Sequence, residues 1–176
     1  MSRSHRAPRA RPAYLDAVPS FHLTSRLLAP AGRVWAHATD MEGVNFELAP
    51  LLRMTYPKGP RSLEGREVPL GAPLFRSVIL LFGVLPIDYD DVTFESLETG
   101  RRFVERSPTM SQRVWRHERT VESVGEGCSV RDRITFEPRL PGMGAVLAPA
   151  LHLLFRNRHR KLVQRFGGEA GVIQRG

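Results

Sequence analysis

The sequence predicts a single α+β domain in which an antiparallel sheet is followed by one long C-terminal helix. Residues 74–138 alternate in a strand-like way, with short turn signals between segments. After Pro141-Gly142 the apolar residues change to helical spacing. Grouped strands followed by a grouped helix is an α+β order. The 176 residues fit one domain. A chain of that length buries roughly 70% of its unfolded surface.

The elements follow in chain order. Residues 1–18 carry Arg3, Arg6, Arg9 and Arg11 with no apolar period, which predicts a flexible basic N-terminal arm. Phe21, Leu23, Ser25 and Leu27 alternate with polar residues as a strand with one buried face. Pro30 suits a first helical turn, and Val34, Trp35 and Ala38 suit the short helix after it. Gly43 breaks that pattern, and a second short helix is expected over Asn45 to Ala49, ending before Pro50. Leu51 to Tyr56 reads as a strand. Residues 57–73 hold four Pro and three Gly and read as a loop, long enough to serve as a lid or entry loop.

Strands are then expected at Leu74–Leu81, Asp91–Glu98, Arg102–Ser107, Arg113–Val124 and Ser129–Pro138. The turns between them are placed at Leu85-Pro86, Thr99-Gly100, Ser107-Pro108 and Gly125-Glu126-Gly127. Links this short require antiparallel pairing. Leu147, Leu151, Leu154, Phe155, Leu162 and Phe166 form one stripe at about 100° per residue. Pro149 kinks this helix or opens it, and Gly167-Gly168 ends it. The folded unit is therefore placed at residues 19–168, with 169–176 as a C-terminal tail.

Composition narrows the functional classes. The single cysteine, Cys128, rules out an intrachain disulfide. No apolar segment follows the basic start, so no secretory leader is expected. The most apolar run, Val78 to Ile87, is far short of the ~20 residues that span a bilayer. A cytoplasmic protein without a transmembrane segment is the expectation. The net charge of +8 invites a nucleic-acid reading. However, 24 of the 26 basic residues are Arg and they are spread along the chain, as codon bias would produce, so no nucleic-acid partner is expected. Oligomeric state is left open.

The informative residues are charged ones on predicted buried faces. Trp115, His117, Arg119 and Val121 share one face of their strand, and Arg116, Glu118, Thr120 and Glu122 take the other, read as wet. Val130, Asp132, Ile134 and Phe136 share a face, as do Phe103, Glu105 and Ser107. Arg158 lies within the helical stripe and His159 at its edge. Glu105, His117, Arg119, Asp132 and Arg158 must therefore pair or meet water, because an unpaired buried charge is costly. They form an ion network pinning helix to sheet, with Arg158 on Asp132 or Glu105, or the polar floor of a pocket. The pocket's apolar walls would be Phe103, Trp115, Ile134, Phe136, Leu151 and Phe155.

Stronger catalytic signatures are missing. There is no G-x-S-x-G elbow, Walker loop or G-x-G-x-x-G. Cys128 reads as a small filler. His152 and His159 are two turns apart, but no third ligand accompanies them, so no metal or cofactor is expected.

The segment "WRHERTVESVGEGCSVRDRITFEPRLP" and the later "LFRNRHRKLVQRFG" resemble the START/SRPBCC superfamily, specifically its polyketide cyclase/dehydrase-like group. The matching positions are Trp115, His117, Val130, Asp132, Ile134, Phe136, Arg158, His159, Arg160 and Leu162. "LLAPAGRVWAHATDMEGVN" resembles that group's first strand and helix pair, and the likeness runs over residues 20–166. "GVNFELAPLLRMT" resembles one branch of the group, and that likeness carries no activity with it. The resemblance implies a helix-grip fold, a curved sheet gripping the terminal helix around a cavity. It also implies an apolar or amphipathic ligand, lipid- or polyketide-like, for a carrier or sensor. One alternative is a cyclase or dehydratase using His117 with Asp132 or Glu105 as acid and base, and Arg119 to stabilise an enolate. Another is a membrane-surface or regulatory module built from the basic arm and Arg156, Arg158, Arg160, Lys161 and Arg165.

Overall fold

The computed structural model describes residues 18–59 and 61–175. Apart from Val18, the predicted basic arm lies outside the described residues. β1 (Ser20–Leu27) leads into α1 (Ala31–Ala38) and α2 (Met41–Leu48). β2 (Leu52–Met54) precedes the long loop, and β3 (Pro73–Leu81), β4 (Leu85–Glu98), β5 (Arg102–Glu105), β6 (Gln112–Val124) and β7 (Gly127–Pro138) follow. α3 (Gly144–Phe166) closes the unit, and β8 (Gly168–Glu169) and β9 (Gln174–Arg175) return to β1.

The strands pair antiparallel in the order β2-β3-β4-β5-β6-β7-β1-β8, with β9 also on β1. This curved sheet holds α3 against its concave face, so the α+β helix-grip architecture is the observed one. Pro149 lies inside α3, which runs through it.

Local departures from the sequence expectation have physical causes. α2 begins at Met41, with Asp40 capping it through Glu42 N, so Gly43 lies within a helix. A Cβ on Gly43 would come 1.9 Å from the His37 carbonyl oxygen, so glycine is there for the close approach of α1. The β3–β4 turn falls at Phe82–Val84, not at Leu85-Pro86, with Phe82 in the left-handed region at φ 51°. Pro86 is accommodated in β4 because β5 pairs only from Phe94 onward, so no second ladder needs its missing N–H. The Leu51–Tyr56 strand shortens to Leu52–Met54. Arg116 is buried, although its strand face was read as wet. Its guanidinium lies between Glu95, at 3.2 Å, and Glu118, at 3.1 Å.

The core has two apolar clusters. One contains Leu27, Trp35, Phe94, Phe103, Val121, Val130 and Leu162. The other contains Phe21, Leu23, Leu48, Ile134, Phe136, Leu154 and Phe155. Along β1, β6, β7 and α3 a polar residue separates the two groups, while Met54 of β2 packs against both. Ser25 separates them on β1, Arg119 on β6, Asp132 on β7, and Arg158 with His159 on α3. The core is therefore two apolar blocks divided by a buried polar layer.

Candidate ligand cavity and its polar layer

The polar layer is built around Arg119, which is completely buried. Its Nε and one terminal nitrogen donate to Asp132, both at 2.7 Å. Both terminal nitrogens donate to Glu47 of α2 at 2.8 Å. Arg158 Nε donates to the same Glu47 carboxylate at 2.9 Å. His117 and His159 meet Asp132 at 3.0 and 3.2 Å, and His159 also bonds Ser25 at 2.7 Å. Burial alone would raise both carboxyls. Arg119 and Arg158 overcome this for Glu47, bringing it down to about 2, and Arg119 holds Asp132 well below the usual carboxylate range.

Arg158 therefore pairs with Glu47, not with Asp132 or Glu105 as the sequence suggested. It also leaves the basic helix surface, because it is buried. His159 is in the middle of the layer, not at a stripe's edge. Glu47 was not among the sequence candidates. Charge balance gave no signal for it, because Glu105 and Asp132 already matched the two inward arginines in number.

On one side of this layer the interior does not close. A cavity of about 550 Å³ lies between the sheet, α2, α3 and the loop after β2. Leu48, Met54, Leu74, Ile79, Val92, Phe94, Leu151 and Leu154 supply apolar wall. Exposed Lys58, Arg61 and Phe82 border it, so it reaches the surface there. Of the eleven sequence candidates, Phe103, Glu105, Trp115, His117, Leu151, Phe155 and Arg158 line it. Arg119 and Asp132 do not, because the ion layer seals them from it. Ile134 and Phe136 do not either, because they pack within the second apolar cluster.

The polar end of the cavity gathers Asp90, Glu105, Trp115 and His117. Glu105 accepts from Ser107 at 2.9 Å and from Trp115 Nε1 at 3.2 Å, and His117 Nδ1 is 3.8 Å away. Asp90 lies outside the expected Asp91–Glu98 strand, which in the structure begins six residues earlier at Leu85; the same alternation carried back sets Asp90 with Val92 and Phe94. Burial, and then the Glu105 carboxylate, push the Asp90 carboxyl well up. Burial opposes ionisation of Glu105 too, but His117 and the hydrogen bond from Asp90 bring it down. The two carboxyls are thus pushed in opposite directions, Asp90 up and Glu105 down. Cys128 is buried in the first cluster, and burial raises its thiol, so it reads as filler.

Residues 25–166 match a family profile described as a domain of unknown function, DUF8410. The chain belongs to that family. No curated protein matches it. Among solved structures, protein CV1439 from Chromobacterium violaceum superposes with a TM-score of 0.63 at 14% identity, over 86% of this chain and 99% of that one. A START superfamily protein from Mycobacterium smegmatis gives 0.60 at 9% identity, over 84% and 97%. CalU16 from Micromonospora echinospora gives 0.52 at 14% identity, over 86% and 70%. At these identities the likeness is one of fold: this DUF8410 member shares the helix-grip fold of these structures. Among its described residues no helix is long and apolar enough to cross a membrane, and no group of three or more His, Cys, Asp or Glu is arranged to hold a metal ion.

Proposed function

We propose that this DUF8410 protein binds an apolar or amphipathic small molecule in its internal cavity, as a carrier or sensor, with residues 19–168 as the binding unit. The observation that carries this reading is the 550 Å³ space walled by aliphatic and aromatic side chains. That volume is within the ~300–1,000 Å³ usual for small-molecule sites. An aromatic guest burying roughly 200 Å² gains about 5 kcal/mol at ~25 cal/mol per Å². Polar groups confined to one end would then set its orientation.

The cyclase or dehydratase reading is weaker on geometry. Both ring nitrogens of His117 face protein carboxylates, Asp132 at 3.0 Å and Glu105 at 3.8 Å. Its Nε2 is committed to Asp132, and the Arg119 donors are committed to Glu47 and Asp132.

The test is Nile red fluorescence with the wild type and with Val92→Trp, which places an indole where a buried wall residue borders the space. The wild type should bind and brighten the dye, and the variant should fold but lose most of the signal. A wild type that leaves the dye dark, or a variant that binds equally well, overturns the proposal.

A further inference from the structure

We infer that the guest is an organic acid, an apolar body carrying a carboxylate, and that the terminal nitrogens of Arg158 receive that carboxylate where the polar layer closes the cavity. The inference rests on the cavity-binding reading and names the chemical class that the cavity takes.

Arg158 is the last residue of α3 that borders the cavity. Phe155 before it and Leu162 after it are 1% and 0% exposed, so this face of the helix points inward. The Arg158 side chain keeps 8% exposure, and the cavity is the space beside it. A guanidinium carries five N–H donors. Here only Nε is engaged, with Glu47 at 2.9 Å, and among the described residues no other carboxylate pairs with Arg158. The two terminal nitrogens have no hydrogen-bond partner among the described residues, and they are not among the unpartnered atoms that protein seals off completely. They are open donors on a cation that is otherwise buried. Buried donors are nearly always partnered, so this pair calls for an acceptor from the cavity side. The Phe155 ring, 5.1 Å from the guanidinium carbon, supplies apolar wall next to them.

Charge and shape select a carboxylate. Glu47 serves two guanidiniums, because Arg119 also holds both its oxygens at 2.8 Å. The cavity-facing edge of Arg158 therefore keeps positive charge to share. A carboxylate offers two oxygens that match the fork of the two terminal nitrogens, whereas a neutral carbonyl offers one. The cavity's own carboxyls are engaged elsewhere. Asp88 is held by Met110 N, Ser111 N and the Ser111 hydroxyl, Glu105 by Ser107 and Trp115, and Asp90 by Glu105 and Ser107. The cations at the mouth compete poorly. Lys58 and Arg61 are exposed and Arg61 already pairs with Glu42, so water screens them, while the buried Arg158 acts in a lower dielectric.

The experiment displaces Nile red with naphthalene, 2-naphthamide and 2-naphthoate at pH 7. These probes share one ring system and differ at the polar end. 2-Naphthoate should displace the dye at roughly tenfold lower concentration than 2-naphthamide, the gain from a charge-assisted hydrogen bond. In Arg158→Met that advantage should vanish and 2-naphthoate should rank last, because its charge would enter the cavity without a partner. In Lys58→Met the advantage should persist. If 2-naphthoate is no better than 2-naphthamide on the wild type, if Arg158→Met keeps the preference, or if Lys58→Met abolishes it, the inference falls while cavity binding stands. The order of the probes on the wild type and on Lys58→Met decides the matter even if Arg158→Met does not fold. If neither Nile red nor naphthalene binds, the cavity reading fails and takes this inference with it.

Discussion

Replacing Arg119 by Met would test whether the polar layer holds the two core blocks in place. Met is nearly as long and is apolar, so the change removes hydrogen bonds and charge with little loss of volume. Glu47 would keep Arg158 at 2.9 Å and His37 at 3.6 Å, and Asp132 only His117 and His159. Removing one partner of a buried ion pair costs about 3–5 kcal/mol, because the abandoned charge stays buried. At an urea slope of about 2 kcal/mol per M, the unfolding midpoint should fall by ~2 M. The melting temperature should drop by roughly 6–20 °C for a domain of this size. Urea titration followed by fluorescence of Trp35 and Trp115 measures it. The double variant with Asp132→Leu should recover part of the loss, since the carboxylate left without a cation is then gone while Glu47 still pairs with Arg158. A single variant within about 1 kcal/mol of the wild type would refute the argument.

Two further outcomes follow from the same structure. Glu47 is depressed from 4.5 to about 2 in the folded protein, and Asp132 is also depressed. Such groups stabilise above their unfolded pKa and lose that contribution as pH falls through the folded value. For Glu47 alone this is about 3 kcal/mol, lost between roughly pH 4.5 and 2; a melting temperature that stays flat down to pH 3 would contradict it. Gly43→Ala should lower the melting temperature by several degrees, although alanine is the better helix former by ~1 kcal/mol. The added Cβ would meet the His37 backbone oxygen at 1.9 Å, so α1 or α2 must shift, and a rise in melting temperature would show slack at that corner.

Much of this was legible because alternation and helical spacing report which face a side chain takes. Trp115, His117, Arg119, Asp132 and Arg158 do point inward. What alternation does not report is depth. His117 and Arg119 share one face of β6, yet His117 borders the cavity and Arg119 is sealed behind it. The difference is made by what lies opposite. Glu47 closes over Arg119 from α2, a helix of eight residues whose extent was obscured by Gly43. Asp90 was invisible for a related reason. The Phe82–Val84 turn moves the start of β4 back to Leu85, and a strand begun at Asp91 leaves the preceding residue out.

The cavity and the ion layer depend on each other. An unfilled space of about 550 Å³, charged at ~24 cal/mol per Å³, corresponds to about 13 kcal/mol. That is comparable with the whole stability of a domain, ~5–15 kcal/mol. Close packing therefore cannot be what keeps the walls apart. Access to water at the mouth and at the polar end lowers the penalty, because hydration replaces vacuum. The remaining requirement is rigidity, and the layer supplies it. Glu47 ties α2 to β6, Arg158 ties α3 to α2, and His159 with Asp132 ties α3 to β7. All three attachments, two helix-to-sheet and one helix-to-helix, lie beside the cavity. A guest that fills the space would then stabilise the folded state by mass action without having to build the site first. The charged residues that look like a catalytic cluster in the sequence are, in the fold, largely the frame that keeps the cavity open.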